Sequence, residues 1–477
     1  MSLKQLIPYV AAMAVLVSCG RTIEPNPSVT QGETGLECIG VLAPKTLAEV
    51  HNDLTIGCET LDRDYADYHK YKEYLAALGI RKIRLQAGWA KTETVKGEYD
   101  FAWLDSIIDD AVSRGMEPWV ETSYGNPIYE GGGTKYLAGG WPTSPEAIEA
   151  WDKWVEAMAV RYKGKVHEWE IWNEPDINKE QFKDTLSLID LQVRTAEIIK
   201  KVDPEAKIAA FAWAGFRGPY LDRCLEIMKS QGKLDLFEWI SYHFYSLRPE
   251  GMYGNVGKMQ AILDKYTDRI ILRQGETGAP SKGHLGGALS NYDWTEISQG
   301  KWALRRMLTD KAKGIPTTIF CISDMNYFKD KDHISTKNVK GLLETDDDNN
   351  VIRPKEAYFA VQNLVSVWDC MERPVPADNI QVETDGSRSV YEFQNAGSKN
   401  VSFIIWDDSA APGDNVTASL EKVTVKGASF KNPVCVDIRT GNVYKTDCSK
   451  SGGGWVFNVP VYDSPVLVID KGQLKLK

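Results

Sequence analysis

Two short stretches carry residues that could do chemistry. HEWEIWNEPD, His167 to Asp176, ends an apolar run in Asn173-Glu174-Pro175, and RIILRQGETGAPS, Arg269 to Ser281, delivers Glu276 from another apolar run into a Gly/Pro/Ser-rich loop. Cleaving a glycosidic bond builds positive charge on the anomeric carbon while the leaving oxygen needs a proton. One carboxyl must therefore donate a proton and a second must meet the carbon. Pro175 disfavours helical backbone at Glu174 and marks where its strand stops. A strand end is where active-site residues of barrels sit.

Positioning two such residues requires strands that end at one place. From residue 51 onward, apolar runs alternate with amphipathic stretches of helical period, the pattern of βα units in a parallel sheet. Eight runs read as strands: 54–61, 82–89, 116–125, 167–174, 207–215, 237–246, 269–276 and 316–325. Eight is the number that closes a (β/α)8 barrel, with Glu174 after the fourth and Glu276 after the seventh. YADYHKYKEYLAALG, DFAWLDSIIDDAVSRG and SPEAIEAWDKWVEAMAVRYKG between the first four each end in Gly, as helix C-termini do. An open doubly wound sheet would want a glycine-rich loop after its first strand, where this chain has CETLDRDYADY. Past EAYFAVQNLVSVWD the texture changes to short alternating runs broken by turn residues, an antiparallel β-sandwich. The expected division is a leader at 1–18, a tether and N-terminal segment at 19–50, the barrel at 51–366 and the sandwich at 367–477. Residues 35–52 either add strands to the sandwich or plug the barrel floor.

With 477 residues, 43% of them hydrophobic, the chain can bury a large core. Its net charge of -10 gives no basic surface for nucleic acid and no polybasic membrane patch. Residues 1–18 carry Lys4 and then an apolar run too short for a membrane span, which reads as a secretory signal. Leu16-Val17-Ser18-Cys19 resembles a bacterial lipoprotein cleavage box. Cys19 is then the lipid-bearing residue, and the expected location is the bacterial cell envelope, anchored to the outer membrane through that lipid. Without residues 1–18 the charge is 55 - 66 = -11. Seven cysteines remain in a compartment that permits disulfides. A two-residue turn at Gly441-Asn442 would place Cys435 opposite Cys448 on a non-hydrogen-bonded pair, so a disulfide between them is expected.

The motifs resemble those of the retaining (β/α)8-barrel glycoside hydrolases that carry glutamates after strands four and seven. The likeness is greatest to family 39, through FCISDMNYF on strand eight, with family 5 a near competitor. The resemblance implies that Glu174 is the acid/base, Asn173 its neighbour on the sugar 2-hydroxyl, and Glu276 the nucleophile. It further implies that Arg84 lies beside the nucleophile and that His243 and Tyr245, alternate residues of one strand face, line the site. Trp89 and Asp324 are expected to contact substrate, and Trp119, Trp141 and Trp213 are candidates for stacking on sugars. Where many clan members have a tryptophan on strand eight, this chain has Cys321. Asp346, Asp348 and Asn350 have the spacing of a calcium loop, but Val351 stands where its glycine would be, so the segment reads as a polar turn. Neither metal nor cofactor is expected. The implied activity is retaining hydrolysis of β-linked sugars. A transglycosylase would use the same residues, and a barrel without catalysis would be a lipid-anchored carbohydrate-binding protein.

Overall fold

The computed structural model describes residues 29–327, 336–398 and 400–477. The expected leader at 1–18 and Cys19 lie outside the described residues. Eight parallel strands form the barrel: β1 (Thr55–Gly57), β2 (Lys82–Gln86), β3 (Glu117–Thr122), β4 (Glu168–Ile171), β5 (Lys207–Trp213), β6 (Trp239–Tyr242), β7 (Ile271–Gln274) and β8 (Thr318–Ile319). Their order is β7-β6-β5-β4-β3-β2-β1-β8. The seam between β7 and β8 is bridged by backbone bonds from Gln274 N to Pro316 O and from Phe320 N to Thr277 O, both 2.9 Å. The circle is thus nearly closed, as eight strands of this register allow.

Helices α1 (Tyr68–Leu78), α2 (Ala102–Ser113), α3 (Pro145–Tyr162), α4 (Thr185–Val202), α5 (Gly218–Ser230), α6 (Tyr253–Leu263), α7 (Glu296–Ala312) and α8 (Glu356–Trp368) follow the strands in turn. Local sequence sets their ends. Ser144 caps α3 by accepting from Ala147 N, with Pro145 in the first turn, and Gly79 ends α1 in the left-handed region. Helix α7 is buried nearly all round, Lys301, Arg305, Arg306 and Asp310 included. It lies between the barrel wall and the second domain, so each charge is paired: Lys301 with Asp463, Arg305 with Glu250, Arg306 with Asp310.

The second domain packs a seven-stranded antiparallel sheet against a four-stranded one. Phe403, Ile405, Val423, Phe457 and Val468 fill the space between them. Ile404, Trp406 and Leu467 on the other face of the larger sheet join the barrel's core. The N-terminal strand Cys38–Val41 pairs with Asn442–Lys445 at that sheet's edge, so the segment before the barrel extends the sandwich. The expected Cys435–Cys448 disulfide is corrected here: both thiols are free. Asp437 pairs with Asn442, making the turn four residues long, and this register sets Cys435 opposite Tyr444. Cys448 pairs with Phe457 in the other sheet. The segment containing Asp346, Asp348 and Asn350 is the tip of a hairpin between Leu343–Thr345 and Val351–Pro354, in which Asp346 accepts from the backbone N–H of Asp348 and Asn350.

Candidate active site

Strand β4 buries Glu168, Trp169, Glu170 and Ile171 on both faces, then stops. Pro175 opens a single 3-10 turn, and Glu174 is held in the left-handed region at φ 50°, ψ 56°. Its N–H bonds Ala212 O at 3.1 Å, tying the turn to β5. A non-glycine residue in this conformation costs energy and persists where its surroundings fix it, often at active sites. At the end of β7, Gly275 precedes Glu276. A side chain on Gly275 would meet Ser241 Oγ at 2.1 Å and His243 Nε2 at 3.0 Å, so only glycine lets this turn approach β6.

Six of the seven polar residues expected at the site converge: Arg84, Asn173, Glu174, His243, Tyr245 and Glu276. Arg84 donates from Nη1 to Glu276 Oε2 at 3.0 Å and from Nη2 to Asn173 Oδ1 at 2.9 Å. Tyr245 donates its hydroxyl to Glu276 Oε1 at 2.7 Å. His243 Nδ1 lies 3.1 Å from Glu174 Oε1 and 3.8 Å from Glu276 Oε2. One carboxylate oxygen from each glutamate and the imidazole nitrogen all fall within 4.8 Å of one another.

Three glutamates absent from the sequence reading complete the cluster. Arg84 also donates to Glu59 at 2.9 Å, to Glu170 at 2.7 Å and to Glu121. One guanidinium, fully buried, therefore serves four carboxylates. For Glu121 and Glu170 the signal was present in KIRLQ, WVET and EWEI: a charged residue in a strand buried on both faces must find its partner inside the barrel.

The electrostatics separate the two catalytic candidates. Burial, and then the charges of Asp176 and Glu170, push Glu174 up to about 8 against the opposing pull of Arg84. The group is thus a protonated acid at neutral pH, which a proton donor must be. Glu276 instead accepts hydrogen bonds from a guanidinium, Arg84, and a phenol, Tyr245. Burial pushes His243 down to about 4, so the imidazole is neutral. With Arg84 Nη2 3.5 Å from Nε2, the network assigns the ring proton to Nδ1, donated to Glu174. That bond occupies one oxygen of Glu174 and leaves the other to carry the acid proton.

The pair opens on a cavity of about 160 Å³ lined by Glu59, Arg63, Gln86, Tyr124, Asn173, Glu174, Glu276, Phe320 and Tyr327, among others. Tyr136 and Leu137 reach it from the loop after β3. Two substrate-contact expectations are corrected. Trp89 opens a short helix after left-handed Gly88, so its ring turns away, fully buried between Tyr129 and Trp154, with Nε1 bonded to Glu93. Asp324 is spent on Lys355 Nζ at 2.6 Å and on Gly341 N. Trp119, Trp141 and Trp213 are likewise buried packing residues. On strand eight the aromatic facing the cavity is Phe320, and Cys321 is buried with its thiol on Ser323 O.

An eight-stranded barrel with an uncharged acid after β4 and an arginine-held carboxylate after β7 has the architecture of the retaining glycoside hydrolase clan. Residues 44–271, most of the barrel, match the description "Glycosyl hydrolases family 39". The match stops as β7 begins, so Glu276 is identified by its geometry. A β-xylosidase from Caldicellulosiruptor saccharolyticus is 34% identical over 125 residues, 24% of this chain and 26% of that protein. A 6-phospho-β-glucosidase from Clostridium longisporum is 27% identical over 144 residues, 28% of each. The aligned stretch thus spans about a quarter of these curated relatives. Among solved structures, a family 39 glycoside hydrolase from Bacteroides cellulosilyticus WH2 superposes with TM-score 0.64 at 17% identity, covering 88% of this chain and 81% of that one. A monomeric β-xylosidase from Caulobacter crescentus CB15 gives 0.58 at 16%, covering 92% and 98%. At these identities the superpositions establish the shared fold.

Proposed function

We propose that the chain is a retaining glycosidase that cleaves β-linked sugars by double displacement. Glu174 protonates the leaving oxygen as Glu276 attacks the anomeric carbon, giving a covalent glycosyl-enzyme. Glu174, now a carboxylate, takes a proton from water, and that water's oxygen displaces Glu276 and releases the sugar. The observation that carries this reading is the pair's spacing. Carboxylate oxygens within 4.8 Å match the roughly 5 to 5.5 Å of a nucleophile and acid/base pair, whereas an inverting pair stands roughly 6.5 to 9.5 Å apart to admit water. The β preference is supported by the β-xylosidase and 6-phospho-β-glucosidase among the relatives.

A panel of aryl α- and β-glycosides, run with wild type and Glu276→Ala, tests the assignment. Release of chromophore from β-glycosides that vanishes in the variant is expected. Cleavage untouched by the substitution would mean that another carboxylate attacks.

The proposed setting is the bacterial envelope, supported by the leader-like residues 1–18 and the Leu16-Val17-Ser18-Cys19 box. Cys19→Ser should move the protein from the membrane fraction and abolish incorporation of labelled fatty acid. Unchanged incorporation would refute the anchor.

A further inference from the structure

The aromatic residues around the catalytic cavity are not alike. Tyr65, Tyr124 and Phe320 are buried, and so are Trp119, Trp141 and Trp213 nearby. Tyr136 and Leu137 line the same cavity yet stay 43% and 44% exposed, side by side at the tip of the loop after β3. Apolar surface left in water at the mouth of a polar site costs free energy that is recovered when a ligand covers it.

The tip is built to hold this pair in place. Thr134 N bonds Gly139 O at 3.0 Å and Gly139 N bonds Tyr136 O at 2.8 Å, which closes residues 134–139 into a tight turn. Inside it Ala138 takes the left-handed region at φ 64°, a conformation that costs a non-glycine residue energy. The neck closes on glycine, since a Cβ on Gly133 would stand 1.9 Å from Gly140 O.

The same tip is fastened to the turn that carries the acid. Asn178, four residues after Glu174, donates from Nδ2 to Ala138 O at 3.1 Å. Gln181 accepts from Trp141 N and donates to Trp141 O, both at 2.8 Å. Ile177, the last residue of the 3-10 turn after Glu174, is itself 36% exposed. Tyr136 and Leu137 are therefore held on the Glu174 side of the cavity, and the oxygen that Glu174 protonates belongs to the leaving group.

We propose that Tyr136 and Leu137 form the platform for the leaving group, and that this group is a ring with an apolar face, a second sugar or an aryl unit. The inference rests on the glycosidase reading and adds to it the half of the substrate that departs. A sugar and an aryl group share the chemistry required, a flat face for a phenol ring to cover. Once the glycosyl-enzyme has formed, an alcohol seated on the platform takes the place of water. Its oxygen bonds the anomeric carbon and displaces Glu276, while Glu174 accepts its proton.

The test traps the glycosyl-enzyme of the intact chain with the 2-deoxy-2-fluoro analogue of the glycoside that the panel shows to be cleaved. Release of the sugar is then followed in water alone or with methanol, benzyl alcohol or methyl β-D-glucoside. Benzyl alcohol or methyl β-D-glucoside is expected to speed release on the order of 10-fold over methanol at equal concentration. The acceptor that acts identifies the ring as aryl or sugar, and a gain from each means that the platform takes both. Tyr136→Ala should abolish the gain, Leu137→Ala should reduce it and Tyr136→Phe should keep it, with release in water alone at the wild-type rate. A wild type that gains from neither ringed acceptor overturns the proposal, a result that needs no variant to fold. So does a Tyr136→Ala protein that gains as wild type does. Slowed release of Tyr136→Ala in water alone would set the tyrosine against the sugar that stays, and would also overturn it. A wild type whose mass shows no glycosyl adduct contradicts the double-displacement reading, and the platform falls with it.

Discussion

The barrel interior holds two arginines on either side of one indole. Arg84, toward the C-terminal ends of the strands, lies 5.5 Å from the ring centre of Trp119, and Arg273 lies 3.6 Å from it on the N-terminal side. Arg273 and Lys82 share a single carboxylate, Glu168. Burial alone would raise Glu168, but the two cations overcome it and hold the group below its ordinary value. Arg84 faces Glu59, Glu121, Glu170 and Glu276 with no second cation bonded to any of them among the described residues. There, burial holds Glu121 well above the ordinary carboxylate range and Glu59 at about 7, while Arg84 outweighs burial at Glu170 and pulls it down. The same residue types thus put two cations on one carboxylate at one end and four carboxylates on one cation at the other. Protons can be moved only where the balance is incomplete.

The largest break in this contrast is Glu276→Ala, which should lower kcat on a β-glycoside by roughly 10⁵-fold or more while leaving the melting temperature near wild type. Next is Arg84→Met. It strands four carboxylates, and denaturant unfolding should show a loss of about 3 to 5 kcal/mol together with loss of activity. Glu168→Gln should cost up to about 3 kcal/mol yet leave kcat unchanged, because it touches only the structural end. Its pH dependence has a definite sign. Glu168 is depressed in the fold, so its contribution is present above the unfolded carboxylate value and is lost as pH falls through the folded one. The variant should therefore lack part of the wild type's acid-induced loss of stability.

The pH profile sharpens the other end. With Glu174 at about 8, the acid is protonated below that pH, so kcat/KM should fall as pH rises through about 8. Glu174→Gln should remove this limb. It should be far slower on poor leaving groups than on nitrophenolates, which depart without a proton. The smallest effects belong to residues outside the cavity: Trp89→Phe and Asp324→Asn should keep KM within about twofold of wild type, reading out only as stability.

Polar residues of the site were legible because chemistry confined them. Asn173-Glu174-Pro175 and Gly275-Glu276 stand at strand ends, Arg84 is a charge inside an apolar strand, and His243 and Tyr245 share one strand face. The Trp89 contact and the Cys435–Cys448 disulfide failed for a common reason, since each depended on a turn. Left-handed Gly88 rotates Trp89 into the core, and a four-residue turn in place of a two-residue one moves Cys435 from Cys448 to Tyr444. Composition does not distinguish those turns. Glu59 and Arg63 were missed because the turn that brings them to the cavity lining carries no glycine or proline to announce it.

The most direct test of the central claim is the anomeric configuration of the first-formed sugar, followed by proton NMR during hydrolysis of a β-glycoside. A retained β-anomer appearing before mutarotation is the predicted result. An α-anomer formed first would contradict the account, because it would require water, and not Glu276, to attack the anomeric carbon.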